Sequence, residues 1–481
     1  MKRVFSSITL IATCIMMLVS CSKKEVKSFV VPAEAILVSM PGQSGTTSFK
    51  SYNITSVTAT SIPSGWSVDD IDMYEQTITV TAPSSFDKEE VTEGNITLTG
   101  YTPTGAKKSL SIYVAILPNA DIDFSAEPAN CYIATQAETR YRFNPYIGGN
   151  STPLLTTRVE LLWETKEGVI KYLDMRDGYV TFYIAEAEDK DGNVIEGKVT
   201  DGNALIGGYD ANDNLVWSWH IWVTNEDPRQ SAVSLNGYTM MNINLGAFTN
   251  SNGEADTKKI HDSYGLYYQW GRKDPLPGPY TWDFYNNADY PIVDNVGERT
   301  YIEYVDSTAD TGTTEWCISN PMSIILGRKD NSYNWLFSST DDTLWNESAK
   351  SQNDPCPAGW MVPSSALYET LRIAAKDDAM MWEEAQPMYG WMLEDSATGN
   401  QHFFSAAGRR NYLDGRLDNM NDDLTLPIPW SGYYWTASTE GEEASAMYFD
   451  LNSETRSWNG FDAARPMHRA NALPIRCVRI K

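Results

Sequence analysis

The chain is 481 residues long and carries 63 acidic against 37 basic side chains, a formal charge of −26. A field of that sign repels phosphates and so excludes DNA, RNA and anionic lipid headgroups as expected partners; the acidity otherwise reads as a soluble surface in an ionic medium. The length is too great for one hydrophobic core, and two to four domains are expected.

Met1-Lys2-Arg3 is a short basic start, and residues 8–19 are mostly apolar, too few to span a bilayer stably. That run ends in Leu18-Val19-Ser20-Cys21. Small residues before a cysteine at this distance resemble the bacterial lipoprotein signal. The resemblance implies loss of residues 1–20 as a signal peptide and acylation of Cys21. The chain would then be lipid-anchored to the outer membrane, in the cell envelope, and exposed at the surface. No later apolar run is long enough for a membrane helix. Residues 21–30 read as a polar tether.

Six cysteines are present. Cys14 would leave with the leader and Cys21 would be lipidated. Cys131, Cys317, Cys356 and Cys477 remain in an oxidising compartment, where three full pairings are open. The absence of any Cys-x-x-Cys pair leaves zinc without support.

Residues 31–118 run in short alternating segments: QTITVTAP (76–83), GNITLTGYT (94–102) and KSLSIYVAIL (108–117). Period-two alternation of Thr, Val and Ile between Pro, Gly and Asn predicts a β-sandwich of immunoglobulin size. The Pro63-Ser64-Gly65-Trp66 corner before TITVTAP resembles the Ig-like or BACON-like modules near the N-termini of Bacteroidota surface lipoproteins. That implies a spacer or carbohydrate-associated module without chemistry.

A second β-sandwich is expected over 119–228. DKDGNVI (189–195) and DANDNLVW (210–217) are turns, each followed by a strand. LVWSWHIWV (215–223) would place Trp217, Trp219, Ile221 and Val223 on one face and Ser218, His220 and Trp222 on the other. His220 has no second histidine or carboxylate at a fixed offset, so it reads as a hydrogen-bonded residue on a half-buried face. ANCYIA (129–134) followed by residues 202–224 is similar to a segment pair in the same surface lipoproteins, placed just before a further domain. Cys131 there reads as a buried thiol.

From 231 to 481 the texture changes to Trp, Tyr, Gly and Pro with little helical periodicity. One helix is predicted after Pro363, capped by Ser364 or Ser365, with Leu367, Leu371 and Ala374/Ala375 on one face; a second covers 377–386. In order the region contains NLGA (244–247), YGLYYQWGRKDP (264–275), SNPMSIILGR (319–328) and DPCPAGWMVPS (354–364). SAAGRRN (405–411), GYYWTAS (432–438), AMYFDL (446–451) and PIRCVRI (474–480) follow. This series resembles the Fibrobacter-type major paralogous (FISUMP) domain in wording and order over about 240 residues, although 276–313 and 419–430 do not share it. The resemblance implies a C-type-lectin-like fold, a twisted antiparallel sheet with flanking helices and long loops, in surface proteins with no assigned catalysis. It also implies a disulfide between Cys356 and Cys477, because in such folds the last strand returns to the region before a helix. GYYWTAS and AMYFDL read as a hairpin, and SAAGRRNYLDGRL as another with Asp414-Gly415 at its tip. Cys317 has no evident partner.

No catalytic motif is present, and the four histidines are scattered. Glu442/Glu443 and Asp422/Asp423 lie in turns or loops and read as solvated charge. A formylglycine-forming cysteine pair, known in a related branch of the fold, is not matched. Trp-Asn-Gly-Phe-Asp (458–462) places Asn459 and Asp462 at the wrong spacing for a lectin calcium site, and residues 249–256 have oxygen ligands without the EF-hand period. No cofactor is expected; calcium, unlike zinc, has candidate oxygen ligands in the sequence. Nine aromatics occupy 264–290. The early ones read as core. Trp282, Tyr285 and Tyr290, with Trp430 and Trp458, are the candidate ligand-stacking residues, since aromatic faces cover sugar C–H surfaces while their polar tips hydrogen-bond.

The expectation is a mainly β multidomain protein, two Ig-like β-sandwiches followed by an α+β C-type-lectin-like domain. Functionally it is a non-enzymatic surface lipoprotein binding a glycan or protein. The alternative is a structural or fimbria-associated assembly component. Third comes a glycan-active enzyme, which needs two carboxylates roughly 5–10 Å apart in a cleft.

Overall fold

The computed structural model describes residues 29–31, 35–38, 42–83, 93–116, 122–176, 178–278, 282–283, 288–289, 292–295, 297–373, 389–418, 431–451 and 460–480. The molecule is mainly β and multidomain. Cys21 lies outside the described residues, as do the tether, the second expected helix and Ala374/Ala375.

The first sandwich pairs a four-stranded sheet, ordered Ala35–Val38, Lys107–Ile116, Glu93–Tyr101 and Ser56–Ser61, with a three-stranded one. In the latter, Thr77–Thr81 sits between Ser44–Ser48 and Ser67–Asp72. Alternation drives it: in Thr77–Thr81 only Ile78 and Val80 are fully buried, and they meet Ile36, Trp66, Leu98, Ile112 and Val114 in one core. Ala35–Val38 runs parallel to its neighbour, so the sheet is not closed by hairpins alone.

The second sandwich faces a four-stranded sheet (Ile122–Asp123, Thr139–Phe143, Tyr179–Ile184, Lys171–Arg176) against a six-stranded one. The larger is ordered Cys131–Ala134, Leu215–Val223, Gly202–Tyr209, Arg158–Glu164, Ile292–Val293 and Arg299–Thr300, so its last two strands come from beyond residue 231. Trp217, Trp219, Ile221 and Val223 enter the sandwich core with Tyr141, Phe143 and Phe182. The opposite face is buried too. Trp222 joins Leu245, Leu266, Tyr268 and Trp270 in the core of the C-terminal region, along with Cys131, Ile133, Trp163 and Leu205. The expected alternation is present, but the half-buried face is a covered one. The change of sequence texture near residue 230 is therefore crossed by a continuous core.

Polar side chains stitch this seam. Asn130, 1% exposed, donates to the carbonyls of Gln352 (2.8 Å) and Asp354 (2.9 Å) and accepts from Gly149 N–H and Trp217 Nε1. All its capacity is filled. Asn203 donates to Gly246 O (2.9 Å), so its Oδ1 accepts from His220 Nε2 (2.8 Å), and Trp222 Nε1 donates to Ala247 O (2.8 Å). Lys273, Asp274 and Ser218 close a buried triad: Lys273 Nζ lies 2.5 Å from both Asp274 Oδ1 and Ser218 Oγ, and 4.7 Å from the Trp217 ring centre.

The C-terminal region is a set of small sheets. One hairpin, Ser431–Glu440 with Glu443–Asp450, is extended by Phe461–Met467, and Arg409–Arg410 pairs with Leu417–Asp418 around Asp414-Gly415, both as expected. Among the described residues the α-helices are Thr257–Asp262, capped by Asp256, and Thr314–Ser319, capped by Thr313. The final strand, Val478–Arg479, lies between Tyr238–Met240 and Trp360–Met361, and Cys356 is bonded to Cys477 with Cα atoms 6.0 Å apart. Lys350 Nζ fastens the proline-flanked cysteine by donating to the carbonyls of Cys356 (2.6 Å) and Trp360 (2.8 Å). Gly359 adopts φ +75°, the conformation that turns the chain into Trp360–Met361. Cys131 and Cys317 are free, buried thiols.

The helix expected after Pro363 is not there. Ser365–Tyr368 is a single 3-10 turn without a side-chain cap, and the chain continues as the strand Leu371–Ile373. Leu371 and Ile373 pair with Asp395 and Leu393 of Gly390–Asp395, which takes the backbone groups a helix would have used. Leu367 and Leu371 are buried as the spacing required, by a different backbone.

Candidate functional site

The expected ligand residues fall mostly outside the described residues: Tyr285, Tyr290, Trp430, Trp458 and Asn459. Trp282 is on a short strand, Trp282–Asp283, paired with Ala288–Asp289. Asp462 is exposed on Phe461–Met467, where its Oδ1 accepts from Ala464 N–H (3.0 Å), an Asx-type local turn. Of the seven, the two described residues, Trp282 and Asp462, lie on strands of separate sheets. Tyr264, Tyr267, Tyr268 and Trp270 are all fully buried, as their reading as core requires. Among the described residues no group of three or more His, Cys, Asp and Glu side chains is disposed to hold a metal ion. Asp256 of the 249–256 loop serves as a helix cap.

A different aromatic cluster is assembled in the C-terminal region from separate segments. The rings of Tyr333, Tyr412 and His468 meet with centroids 4.5–5.0 Å apart, and each is half-buried. Their planes are mutually tilted by 42–76°, giving a faceted surface. Ser332 and Tyr333 both have positive φ (54° and 56°), an unfavourable pair for residues with side chains. The turn is held by Tyr333 N–H to Arg328 O (2.8 Å) and Ala470 N–H to Tyr333 O (3.3 Å). It also needs Gly327, where a Cβ would approach the Tyr333 backbone to 2.6 Å.

Charge surrounds the rings. His468 Nδ1 is 2.8 Å from Glu443 Oε1, at the distance though not the alignment of a hydrogen bond. Burial pulls the imidazole pKa below its ordinary value and Arg409 adds to this, against Glu443, so the ring is neutral at neutral pH. Arg469 fixes the neighbourhood: its guanidinium lies 4.4 Å from the Trp270 ring centre, bonds Asp342 Oδ1 (2.5 Å) and reaches the carbonyls of Gly441 and Glu443 (3.3 Å each). The tip of the Ser431–Glu440/Glu443–Asp450 hairpin is thereby clamped beside His468.

Next to the rings, on either side of Tyr333 in the chain, runs a polar groove of about 150 Å³, walled by residues 330–332, 334, 336–340 and Glu442. Ser332 Oγ donates to Glu442, tying the two walls. Asn334, 2% exposed, keeps Nδ2 without a partner, and the side chains of Ser338, Ser339 and Thr340 are exposed. Phe337 at the rim is 37% exposed. Aromatic faces next to hydroxyl and amide groups can stack on one face of a polyhydroxylated ring and hydrogen-bond its edge.

A larger recess of about 500 Å³ opens between the two sandwiches, lined by Tyr113, Tyr172, Glu164, Glu167, Asp294 and Glu298 among others. Glu164 is committed to the backbone N–H groups of Gly168 and Ile170. Tyr113 and Tyr172 stack on each other at 4.0 Å, so their faces are already occupied.

His220 is a structural histidine, as its sequence context implies: it is 1% exposed and burial lowers its pKa to about 3. The ring-cluster residues were missed by the sequence reading. From the sequence Glu443 reads as solvated charge, and the available signal is the stretch after SIILGR, whose Asn331-Ser332-Tyr333-Asn334 reads as a turn with an aromatic in it.

The fold defines a class, a mainly β multidomain protein with Ig-like sandwiches. No protein-family model and no curated protein matches the chain. Among solved structures it is similar to the D00-D0 domain of intimin, 10% identical over 40% of this chain and 96% of that one, TM-score 0.16. A Porphyromonas gingivalis W83 protein of unknown function is 13% identical over 41% of this chain and 99% of that one, TM-score 0.18. Bacteroides ovatus SGBP-B, of a mixed-linkage glucan utilization locus and in complex with a mixed-linkage heptasaccharide, is 12% identical over 40% and 43%, TM-score 0.13. Likenesses this distant carry no argument about function.

Proposed function

We propose that the protein is a non-enzymatic, lipid-anchored surface protein that binds a glycan at the Tyr333–Tyr412–His468 cluster and the adjoining groove. The FISUMP-like, C-type-lectin-like reading of the C-terminal region is part of this proposal, as is acylation at Cys21 in the outer membrane. One observation carries it: three half-buried rings, fixed by a strained turn and by Arg469, beside a groove lined with the exposed Ser338, Ser339 and Thr340 and the partnerless Asn334 Nδ2. Strain held in place by surrounding structure is characteristic of binding sites.

The test is a glycan array probed with the chain freed of its leader, followed by calorimetry on any hit. Tyr412→Ala and Tyr333→Ala should each weaken binding about tenfold, equivalent to about 1.4 kcal/mol. A folded protein silent on the array, or hits untouched by both substitutions, sinks the proposal. Cys21→Ser should abolish palmitate labelling.

The assembly reading draws on the edge strand Ser56–Ser61, which carries no charged residue to block pairing. It requires oligomers on size exclusion or capture of a strand-donor peptide. An edge of the facing three-stranded sheet, Ser67–Asp72, carries three aspartates.

A further inference from the structure

The seam between the second sandwich and the C-terminal region holds a cation without a counter-charge. Arg272, Lys273 and Asp274 are each 3% exposed. Asp274 is spent on Lys273 and Ser218. Arg272 uses Nη1 for Gln269 Oε1 and Ser323 O, both at 2.7 Å, while its Nε and Nη2 have no partner. The adjacent thiol does not serve as a counter-ion, since burial pushes Cys317 up to about 11 and leaves it neutral. A buried charge unpaired and with open donors is strongly unfavourable.

The same Arg272 lines a cavity of about 10 Å³, shared with Lys273, Asp274, Thr314, Cys317 and Asn353, the Asp274 carboxylate being the one already engaged by Lys273 and Ser218. That is room for one particle of about the size of water, and too little for phosphate, sulfate or a carboxylate ligand. We propose that this cavity is a site for a single monatomic anion, a halide such as chloride, held by Nε and Nη2 of Arg272 in the field of two buried cations and one carboxylate. The ion neutralises the seam. Because Arg272 and Lys273 line the cavity together with Thr314, Cys317 and Ile318 of the Thr314–Ser319 helix, the ion also ties that helix to the segment after Trp270.

Bromide is the direct probe. Crystals of the chain grown in sodium bromide should show an anomalous peak within hydrogen-bonding distance of Arg272 Nε or Nη2; an ordinary water there, with no anomalous signal, overturns the proposal. In solution, melting in sodium chloride should exceed melting in sodium gluconate of equal ionic strength, by roughly 2 °C at ten times the chloride Kd for a cooperative unit of this size. Matched ionic strength removes general screening of the acidic surface from the comparison. Arg272→Met should erase the difference between the salts, and its persistence in that variant counts against the site. Should that variant fail to fold, the wild-type comparison and the bromide map still decide, and equal melting of the wild type in both salts refutes the site.

Discussion

The shared core makes a strong claim about cooperativity: residues 231–481 should not fold when cut away from the second sandwich. Ile133, Trp163, Leu205 and Trp222 lie on sandwich strands, yet they are 0–3% exposed within the core built by Leu245, Leu266, Tyr268 and Trp270. Burying one side chain of this size contributes about 1.5–3 kcal/mol. Four contribute roughly 6–12 kcal/mol, which is comparable with the about 5–15 kcal/mol that stabilises a whole domain. The cut also removes Ser218 from the Lys273–Asp274 pair and the Trp222 indole from Ala247 O, leaving a buried carbonyl without its donor. The assay is urea unfolding of three proteins, residues 122–481, 231–481 and the longer fragment carrying Trp222→Ala, followed by near-UV circular dichroism and tryptophan fluorescence. The long fragment should unfold in one coincident transition. Trp222→Ala should lower its stability by about 3–5 kcal/mol in both probes. The short fragment should lack a near-UV spectrum. A short fragment with native near-UV bands and a sharp transition near the parent's midpoint would falsify the shared-core account.

Other consequences are separately measurable. The Cys356–Cys477 bridge closes a loop of 121 residues in sequence separation, worth about 5 kcal/mol in the chain-entropy model; the double alanine variant should lose stability of that order in urea, and a loss below about 1 kcal/mol contradicts a structural role. His220 has a folded pKa of about 3, below its unfolded value. The unfolded chain therefore takes up a proton the folded one refuses, and stability falls as pH drops below about 6.5. By pH 5 the loss from this residue is about 2 kcal/mol, and His220→Gln should flatten that part of the pH profile; an unchanged slope refutes the assignment. Asp274→Asn leaves Lys273 buried without its partner and should cost about 3–5 kcal/mol, read as a lowered urea midpoint, whereas a neutral result means that the pair is not needed at the seam.

What could be read from the residues was local. Alternation in Thr77–Thr81 and Leu215–Val223 specified strands and sorted their side chains into two faces, and the glycine- and aspartate-bearing turns placed the hairpins, because period two and backbone turn preferences are properties of neighbouring residues. The cysteine bridge was reached through resemblance, with no local feature to choose among three pairings. Where partners lie far off in the chain, local reading failed. Leu367 and Leu371 satisfy helical spacing, but the strand Gly390–Asp395 captured that backbone. Ser218, His220 and Trp222 look like a half-wet face until Asn203, Asp274 and the Ala247 carbonyl arrive to satisfy them.

The ring cluster is the extreme case. Tyr333, Tyr412, Glu443 and His468 belong to four segments that no spacing rule connects, and they meet only because the Ser332-Tyr333 turn and the Arg469 clamp converge on one corner. Sequence by itself determined the β character, the turns and the buried aromatic segments. Tertiary structure decided which faces are covered, whether the regions are energetically separate, and where a ligand could rest, since burial and satisfied polar groups depend on what packs from elsewhere in the chain.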